Sequence, residues 1–382
     1  MNTTNKKIII TGVTGQIGSH MVDYILANTD LNIIGTARRL SVNNHQNIQK
    51  NIDNERFSLA QMDLSDTHSI SNLIEKEKPD YFINFAANSF VGSSWTYPVQ
   101  HMEINAIGVL HQLEAIRKYS PNTRYLNLGS SEEFGDVLES PQNEKTVLRP
   151  RSPYGASKVA ARSLVRVYRD SYNLYALQCF NFNSEGERRG IEFLTRKVTS
   201  GVARIKKSLR LKQKFESIKL GSLDSKRDWQ SSIDVCDGLW RMLNQDKYNP
   251  SLINKYFDAC DGIDSIRFGL SKDIKEYVLA SGKAHTVKEF VEEAFSAAGI
   301  HGSWLIGKTP EDESYIYDCN SSQIPPMSTT LVNVSPKFYR PADVTTLLGD
   351  SSLIHKELGW SSKISFSELV RSMVENDINL LK

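Results

Sequence analysis

The chain has 382 residues, 40% of them hydrophobic and 24% charged, with a formal net charge of +2. Those proportions exclude a disordered or fibrous protein, and charge so near balance gives no counterion-releasing surface for nucleic acid. At this length two lobes meeting at a cleft are expected rather than one oversized core.

Ile8–Thr11 is a β-rich apolar run, far too short for a signal-peptide core or a membrane span, and predicts a first strand. A helix follows over Ser19–Asn28, with Met21, Val22, Ile25 and Leu26 on one face. Further strands are expected over Leu31–Ala37, Arg56–Met62, Tyr81–Ala86 and Tyr125–Gly129, with helices over Ser69–Lys76 and Asn105–Lys118 between them. Another helix begins near Tyr154, and Tyr175–Phe182 reads as one more strand. This alternation is the pattern of βαβ units in a parallel sheet, so the fold class is α/β. Then the regularity fails. Glu185–Gly190 and Ser222–Asp228 read as loops, and helices resume over Ser231–Asn244, Thr286–Ala298 and Ser365–Ile378, the last with Ser365 and Glu368 at capping-box spacing. Lys247–Lys275 is longer than a simple connection requires and reads as a surface insertion.

Between the first strand and the first helix lies Gly12-Val13-Thr14-Gly15-Gln16-Ile17-Gly18. Glycines at this spacing let backbone N–H groups approach a pyrophosphate at a helix N-terminus. Three spaced glycines alone also suit a structural turn; the βαβ context favours dinucleotide binding. An NAD site places an acidic residue at the end of the second strand for the ribose hydroxyl. Here that position reads Arg38-Arg39, which suits a 2′-phosphate, so NADP is the expected cofactor.

Tyr154 and Lys158 stand four apart at the start of a helix, hence on one face. An ammonium beside a phenol, with an oxidised nicotinamide nearby, is expected to lower the tyrosine pKa and make Tyr154 a base. Upstream, a strand ends in Gly129-Ser130-Ser131-Glu132-Glu133. If the chain stays extended, Ser130 and Glu132 share one face and Ser131 and Glu133 the other. Helix capping or solvation is the bland alternative for these polar residues. The four cysteines (Cys179, Cys236, Cys260, Cys319) have neither metal-ligand nor CxxC spacing, so no metal site is expected and a reducing, cytoplasmic location fits.

Taken together these residues resemble the extended short-chain dehydrogenase/reductases and, along nearly the full chain, the GDP-mannose 4,6-dehydratase family. The resemblance rests on the glycine loop (with Ile17 in place of an acidic residue), Arg38-Arg39, Ser130-Ser131-Glu132 and Arg151-Ser152-Pro153-Tyr154-Gly155-Ala156-Ser157-Lys158. It extends through Phe182-Asn183-Ser184-Glu185, Arg188-Arg189-Gly190, Thr195-Arg196-Lys197, Lys226-Arg227-Asp228-Trp229 and Tyr339-Arg340-Pro341-Ala342-Asp343, with departures at Ser184 and Glu187. It implies a Rossmann-type doubly wound sheet, residues 1–182 and 229–281, that binds NADP. A smaller mixed α/β lobe, residues 183–228 and 282–382, would bind the nucleotide sugar. It further implies cofactor contacts from Gly12, Thr14, Gly15, Gln16, Ile17, Gly18, Arg38, Arg39, Asp63, Leu64, Tyr154 and Lys158, and substrate contacts from Ser89, Asn183 and Glu185. Lys197, Arg227 and Arg340 would grip the phosphates and Asp343 the nucleoside. The partner is a GDP-sugar, not nucleic acid or membrane, and the assembly a homodimer or homotetramer. The expected reaction is C4 oxidation assisted by Tyr154, loss of water across C5–C6 with Glu132 as base and Ser130 orienting, and hydride return to C6. A GDP-heptose dehydratase, a 4-epimerase or 4-reductase of the same fold, and a non-catalytic NADP-sensing module are the alternatives.

Overall fold

The computed structural model describes residues 6–42, 44–248, 273–318, 330–339 and 346–382. Its centre is a six-stranded parallel sheet. The strands β1 (Lys7–Thr11), β2 (Asn32–Ala37), β3 (Phe57–Gln61), β4 (Tyr81–Asn84), β5 (Arg124–Asn127) and β6 (Ala176–Gln178) lie in the order β3-β2-β1-β4-β5-β6. Ile8, Ile9 and Ile10 are wholly buried because helices cover both faces. Ile8 and Ile10 pack with Met21, Val22 and Ile25 of the first helix (Gln16–Asn28) and with Val235, Leu239 and Met242 of the helix Ser232–Leu243. Ile9 turns the other way, toward Ile70, Ile74, Leu113, Ile116 and Val165. Each such side chain contributes about 1.5–3 kcal/mol on burial. The strand order reverses between β1 and β4, the switch point at which open α/β sheets hold ligands.

Three expectations need correction. The strand expected over Tyr175–Phe182 is broken into β6, β7 (Phe180–Asn181) and β8 (Asn183–Glu185). Arg162 takes the carbonyls of Gln178 and Cys179, each at 2.9 Å, so the chain leaves the parallel ladder there. The expected loop Ser222–Asp228 runs into a strand, since β10 spans Lys226–Ser231 after β9 (Ile218–Leu220). Its buried Asp228 accepts from the N–H groups of Ser281, Gly282 and Gly349, a long-range arrangement with no local signal. The helix expected from Asn105 is a π-turn, Glu103–Ile107, feeding the α-helix Gly108–Tyr119. Of the expected insertion, residues 249–272 lie outside the described residues, as do Arg340, Asp343, Cys260 and Cys319.

A second core joins Val198, Val202 and Ile205 of the helix Leu194–Arg210 with Phe290, Val291 and Phe295 of Val287–Ala297 and Val370, Met373 and Val374 of Phe366–Asn379. The Ser365–Glu368 capping box opens the last of these helices. Gly302–Leu305, Ser314–Tyr317, Thr330–Val334 and β9 form a four-stranded sheet beside them.

Candidate active site

The glycine loop is built on close backbone contact. Gly12 has φ +64°, and a Cβ there would stand 2.9 Å from the Ala86 nitrogen; a Cβ on Gly18 would stand 2.4 Å from the Gly12 carbonyl oxygen. Gly15 caps the first helix without a side chain, so the N–H groups of its first turn are left for an anion. Thr14, Gly15, Gln16, Ile17, Gly18, Arg38, Asp63 and Leu64 line one cleft of about 390 Å³, and Arg39 is exposed beside it. This cradle, with Arg38 on its wall and no acidic side chain at the end of β2, fits NADP. The Gln16 amide donates to the Ser184 carbonyl at 2.8 Å, tying the loop to β8.

On the far wall, Ser152 accepts from the Gly155 N–H at 3.0 Å and Pro153 takes the first helical position, which starts the helix Pro153–Tyr172 there. One turn separates Tyr154 from Lys158, whose Nζ lies 5.9 Å from the ring centroid and donates to the Leu128 carbonyl at 2.8 Å. Burial pulls the Lys158 ammonium down to about 8. The expected lowering of Tyr154 is not what the protein alone produces: burial pushes the phenol up, opposed by Ser130 and by the Arg189 charge. Asn105, from the π-turn, donates to Ser157 Oγ at 3.1 Å and accepts from the Asn88 N–H at 2.8 Å, joining the Tyr154 helix to the cleft wall.

The chain is extended at Ser130 but does not stay so through Glu133. Ser131–Glu133 is a turn of 3-10 helix capped by Ser130, whose Oγ accepts from the Glu132 N–H at 3.2 Å. Capping and cleft lining therefore coexist, since Ser130 and Glu132 both line the cleft with Tyr154 while Glu133 is wholly buried behind them.

Among the residues expected at the substrate, Ser89, Asn183 and Arg227 line the cleft. Glu185 does not: it is buried, accepting from Thr195 Oγ1 at 2.5 Å and pairing with Arg189 at 3.1 Å. Lys197 stands over the Phe338 ring, 3.2 Å from its centroid, and burial draws its ammonium down to about 8. Arg189, Phe193 and Phe90 are among the cleft residues that went unassigned in the sequence. Arg189 lies 3.5 Å over the Phe193 ring, and Phe193 meets Phe90 edge-on at 5.6 Å. The Arg188-Arg189-Gly190 run was the available signal, but spacing could not say which arginine turns inward.

A family model described as GDP-mannose 4,6 dehydratase matches residues 9–256 and 249–373. A Drosophila melanogaster protein named GDP-mannose 4,6 dehydratase is 34% identical over 389 residues, covering 100% of this chain and 88% of its own. The chain belongs to the GDP-mannose 4,6-dehydratase family. Another relative of that name, from Vibrio cholerae, is 32% identical and covers 98% of this chain and 94% of its own. The fold is also that of Thermus thermophilus UDP-glucose 4-epimerase in complex with NAD (TM-score 0.72, 22% identity, 97% of this chain and 98% of that one). Pseudomonas aeruginosa RMD complexed with NADPH shares it too, with TM-score 0.69, 19% identity and coverage of 98% and 99%. Within the family's fold, then, the cleft described above joins the glycine loop to the Tyr154 wall.

Proposed function

We propose that this family member is an NADP-dependent hydro-lyase converting GDP-mannose to the GDP-4-keto-6-deoxy sugar. The observation that carries the reading is that Ser130, Glu132 and Tyr154 line the same cleft as the glycine loop. A 4-epimerase needs the tyrosine but no carboxylate at C5. Held by the glycine loop and Arg38, NADP would supply the hydride acceptor for C4 and the hydride source for C6. Tyr154 takes the proton of the C4 hydroxyl; because burial raises its phenol, it acts as a base only with positive charge beside it, and Lys158 and Arg189 are the chain's own sources. The 4-ketone acidifies C5–H, and the Glu132 carboxylate removes that proton. The C6 hydroxyl departs with a proton as water, and Ser130 Oγ, adjacent to Glu132, retains its own hydrogen for this relay. C5 regains a proton from solvent through Glu132, and because the hydride lost at C4 is restored at C6 the sugar undergoes no net redox change.

Arg227 and Lys197 are assigned to the diphosphate. No carboxylate lies within ion-pair distance of Lys197 among the described residues, so a phosphate would supply its counter-charge. The division into 1–182 with 229–281 and 183–228 with 282–382 is supported by two separate cores, with the helix Ser352–Leu358 and Trp360 packing back onto the first. A homodimer or homotetramer is supported by exposed Val99, Met102, Ile107 and Val167. A cytoplasmic location is supported by the free thiols Cys179 and Cys236. The deciding experiment is mass spectrometry of GDP-mannose incubated with the protein and NADP in deuterated water. Loss of one water with one deuterium gained at C5 is expected. Unchanged mass of GDP-mannose would defeat the reading, and a loss of water from GDP-heptose alone would move the same chemistry to that sugar.

A further inference from the structure

Four neighbouring strands end in polar side chains that form one line of hydrogen bonds. Thr11 closes β1, Asn84 β4, Asn127 β5 and Gln178 β6, and all four are buried. Thr11 Oγ1 donates to Asn84 Oδ1 at 2.6 Å, Asn84 Nδ2 to Asn127 Oδ1 at 2.8 Å, and Asn127 Nδ2 to Gln178 Oε1 at 2.6 Å. Gln178 Nε2 then donates to Glu133 Oε1 at 3.1 Å. Every bond points the same way, toward the carboxylate, so each polarises the next.

Glu133 is where the line ends. It also accepts from the Ser130 N–H at 2.7 Å and from Arg162 Nε at 2.6 Å and Nη2 at 3.3 Å. Burial pushes this carboxyl up and Arg162 opposes the push. Each of these contacts is a donor, so the arrangement suits a carboxylate and offers the proton of a carboxylic acid no acceptor. Arg162 in turn pairs with Glu276, which also holds Arg169 at 3.0 Å. The packing has no slack at Gly129, where a Cβ would stand 1.9 Å from the Cys179 carbonyl oxygen and 2.7 Å from Glu133 Oε1. Row-ending amides of this kind are more polar machinery than burial of strand ends requires.

We propose that Glu133, held by the Thr11–Asn84–Asn127–Gln178 ladder and by Arg162, is a positioning residue that fixes the turn bearing Ser130 and Glu132 against the cleft. The proposal rests on the reading of Ser130 and Glu132 as catalytic. Its reach extends to the lysine, because Gln178 Nε2 also donates to the Lys158 carbonyl at 3.0 Å.

Glu133→Gln puts an amide among groups that all donate. The expected result is a fall in kcat for GDP-mannose of about 100-fold, with KM and the NADP dissociation constant within about threefold. Amide hydrogen exchange across residues 129–134 should quicken by about tenfold or more. Gln178→Leu keeps the carboxylate, removes one donor and should lower kcat by about tenfold with the same KM pattern; it carries the test should Glu133→Gln fail to fold. Wild-type kcat in a folded Glu133→Gln protein overturns the proposal, as does a loss of kcat matched by loss of NADP affinity. If wild-type protein leaves GDP-mannose unchanged, the dehydratase reading fails on its own. The exchange measurement then decides, and unaltered protection of residues 129–134 in both variants overturns the positioning role.

Discussion

Gly18→Ala tests whether the glycine loop is shaped by its own packing as well as by its ligand. A Cβ on Gly18 would meet three backbone atoms: the Gly12 oxygen at 2.4 Å, the Gly12 carbonyl carbon at 2.9 Å and Val13 Cα at 3.1 Å. Ordinary contact begins near 3.4 Å, so the Gly12 carbonyl must retreat by about 1 Å. It has little freedom to do so. Gly12 is held in the left-handed region, and its oxygen accepts from the Gly15 N–H at 3.0 Å. Overpacking of this kind costs about 1–3 kcal/mol, which the free protein should register as lower thermal stability. The same displacement moves the amides that face the pyrophosphate, and a 1 Å error at such a contact costs on the order of 100-fold. Gly15→Ala is the control, because a Cβ there meets only the Gly12 oxygen at 3.3 Å. It should leave the free protein within about 0.5 kcal/mol of wild type, and can impair cofactor binding only through direct contact with the ligand. The assay is NADPH titration by fluorescence, paired with thermal unfolding without ligand. Equal stability of the two variants, or wild-type NADPH affinity in Gly18→Ala, would refute the reasoning.

Two further outcomes follow from the same cleft. Replacing Arg38 and Arg39 together by Ser should cut the preference for NADPH over NADH by roughly 10- to 100-fold for each charge-assisted hydrogen bond removed, and titration of both cofactors measures it; an unchanged preference would remove these residues from the 2′-phosphate site. Lys158 should make stability and activity move in opposite directions with pH. Its ammonium is drawn to about 8 in the folded protein from an ordinary 10.5, so between those values the unfolded chain binds a proton that the folded chain does not. Stability therefore rises with pH across that window, Lys197 adding a smaller contribution of the same sign. The ammonium beside Tyr154 is lost over the same range, so kcat should fall above about pH 8. A flat kcat up to about pH 9.5 would mean that the charge on Lys158 is not needed.

The parallel sheet was legible because its signal is local and repeated: Ile8, Ile9 and Ile10 can only be buried on both sides, and amphipathic helices follow at short intervals. The glycine loop and the Tyr154–Lys158 pair were legible for the same reason, each lying within one turn. The placement of Glu132 was anticipated on a premise that fails, since the segment is a 3-10 turn in which the Ser130 cap, not strand alternation, sends Glu132 to the cleft and Glu133 inward. Glu185 and Arg189 expose the limit of sequence reading. Both are charged and lie close in sequence, Glu185 closing β8 and Arg189 in the loop after it, yet Glu185 is buried against Thr195 and Arg189 while Arg188 is drawn off to Asp23 at 2.6 Å. Only the partners, from 4 to 165 residues away, decide which charge faces the ligand.

The break in the strand expected over Tyr175–Phe182 explains how β8 and β10 reach the cleft. A single strand of that length would have kept its ladder with β5 and carried every later residue away from the switch point. Instead β6 stays in the parallel sheet, β7 pairs with Val278–Leu279, and β8 pairs with β10. The side chain that stabilises the first departure is Arg162, which takes the two freed carbonyls and at the same time holds Glu133. The same turn of chain thus delivers Gln178 to the amide ladder, Asn181 and Asn183 to the cleft wall, and Ser184 to the Gln16 amide. A substitution that restored a continuous strand would satisfy the local β-pattern better. It would also leave the Arg162 guanidinium without two acceptors and the glycine loop without its tie to β8. The irregularity is therefore where the parallel sheet, β8 and the Ser130–Glu133 turn are joined, and the hydrogen bonds that hold it belong to long-range partners rather than to the strand itself.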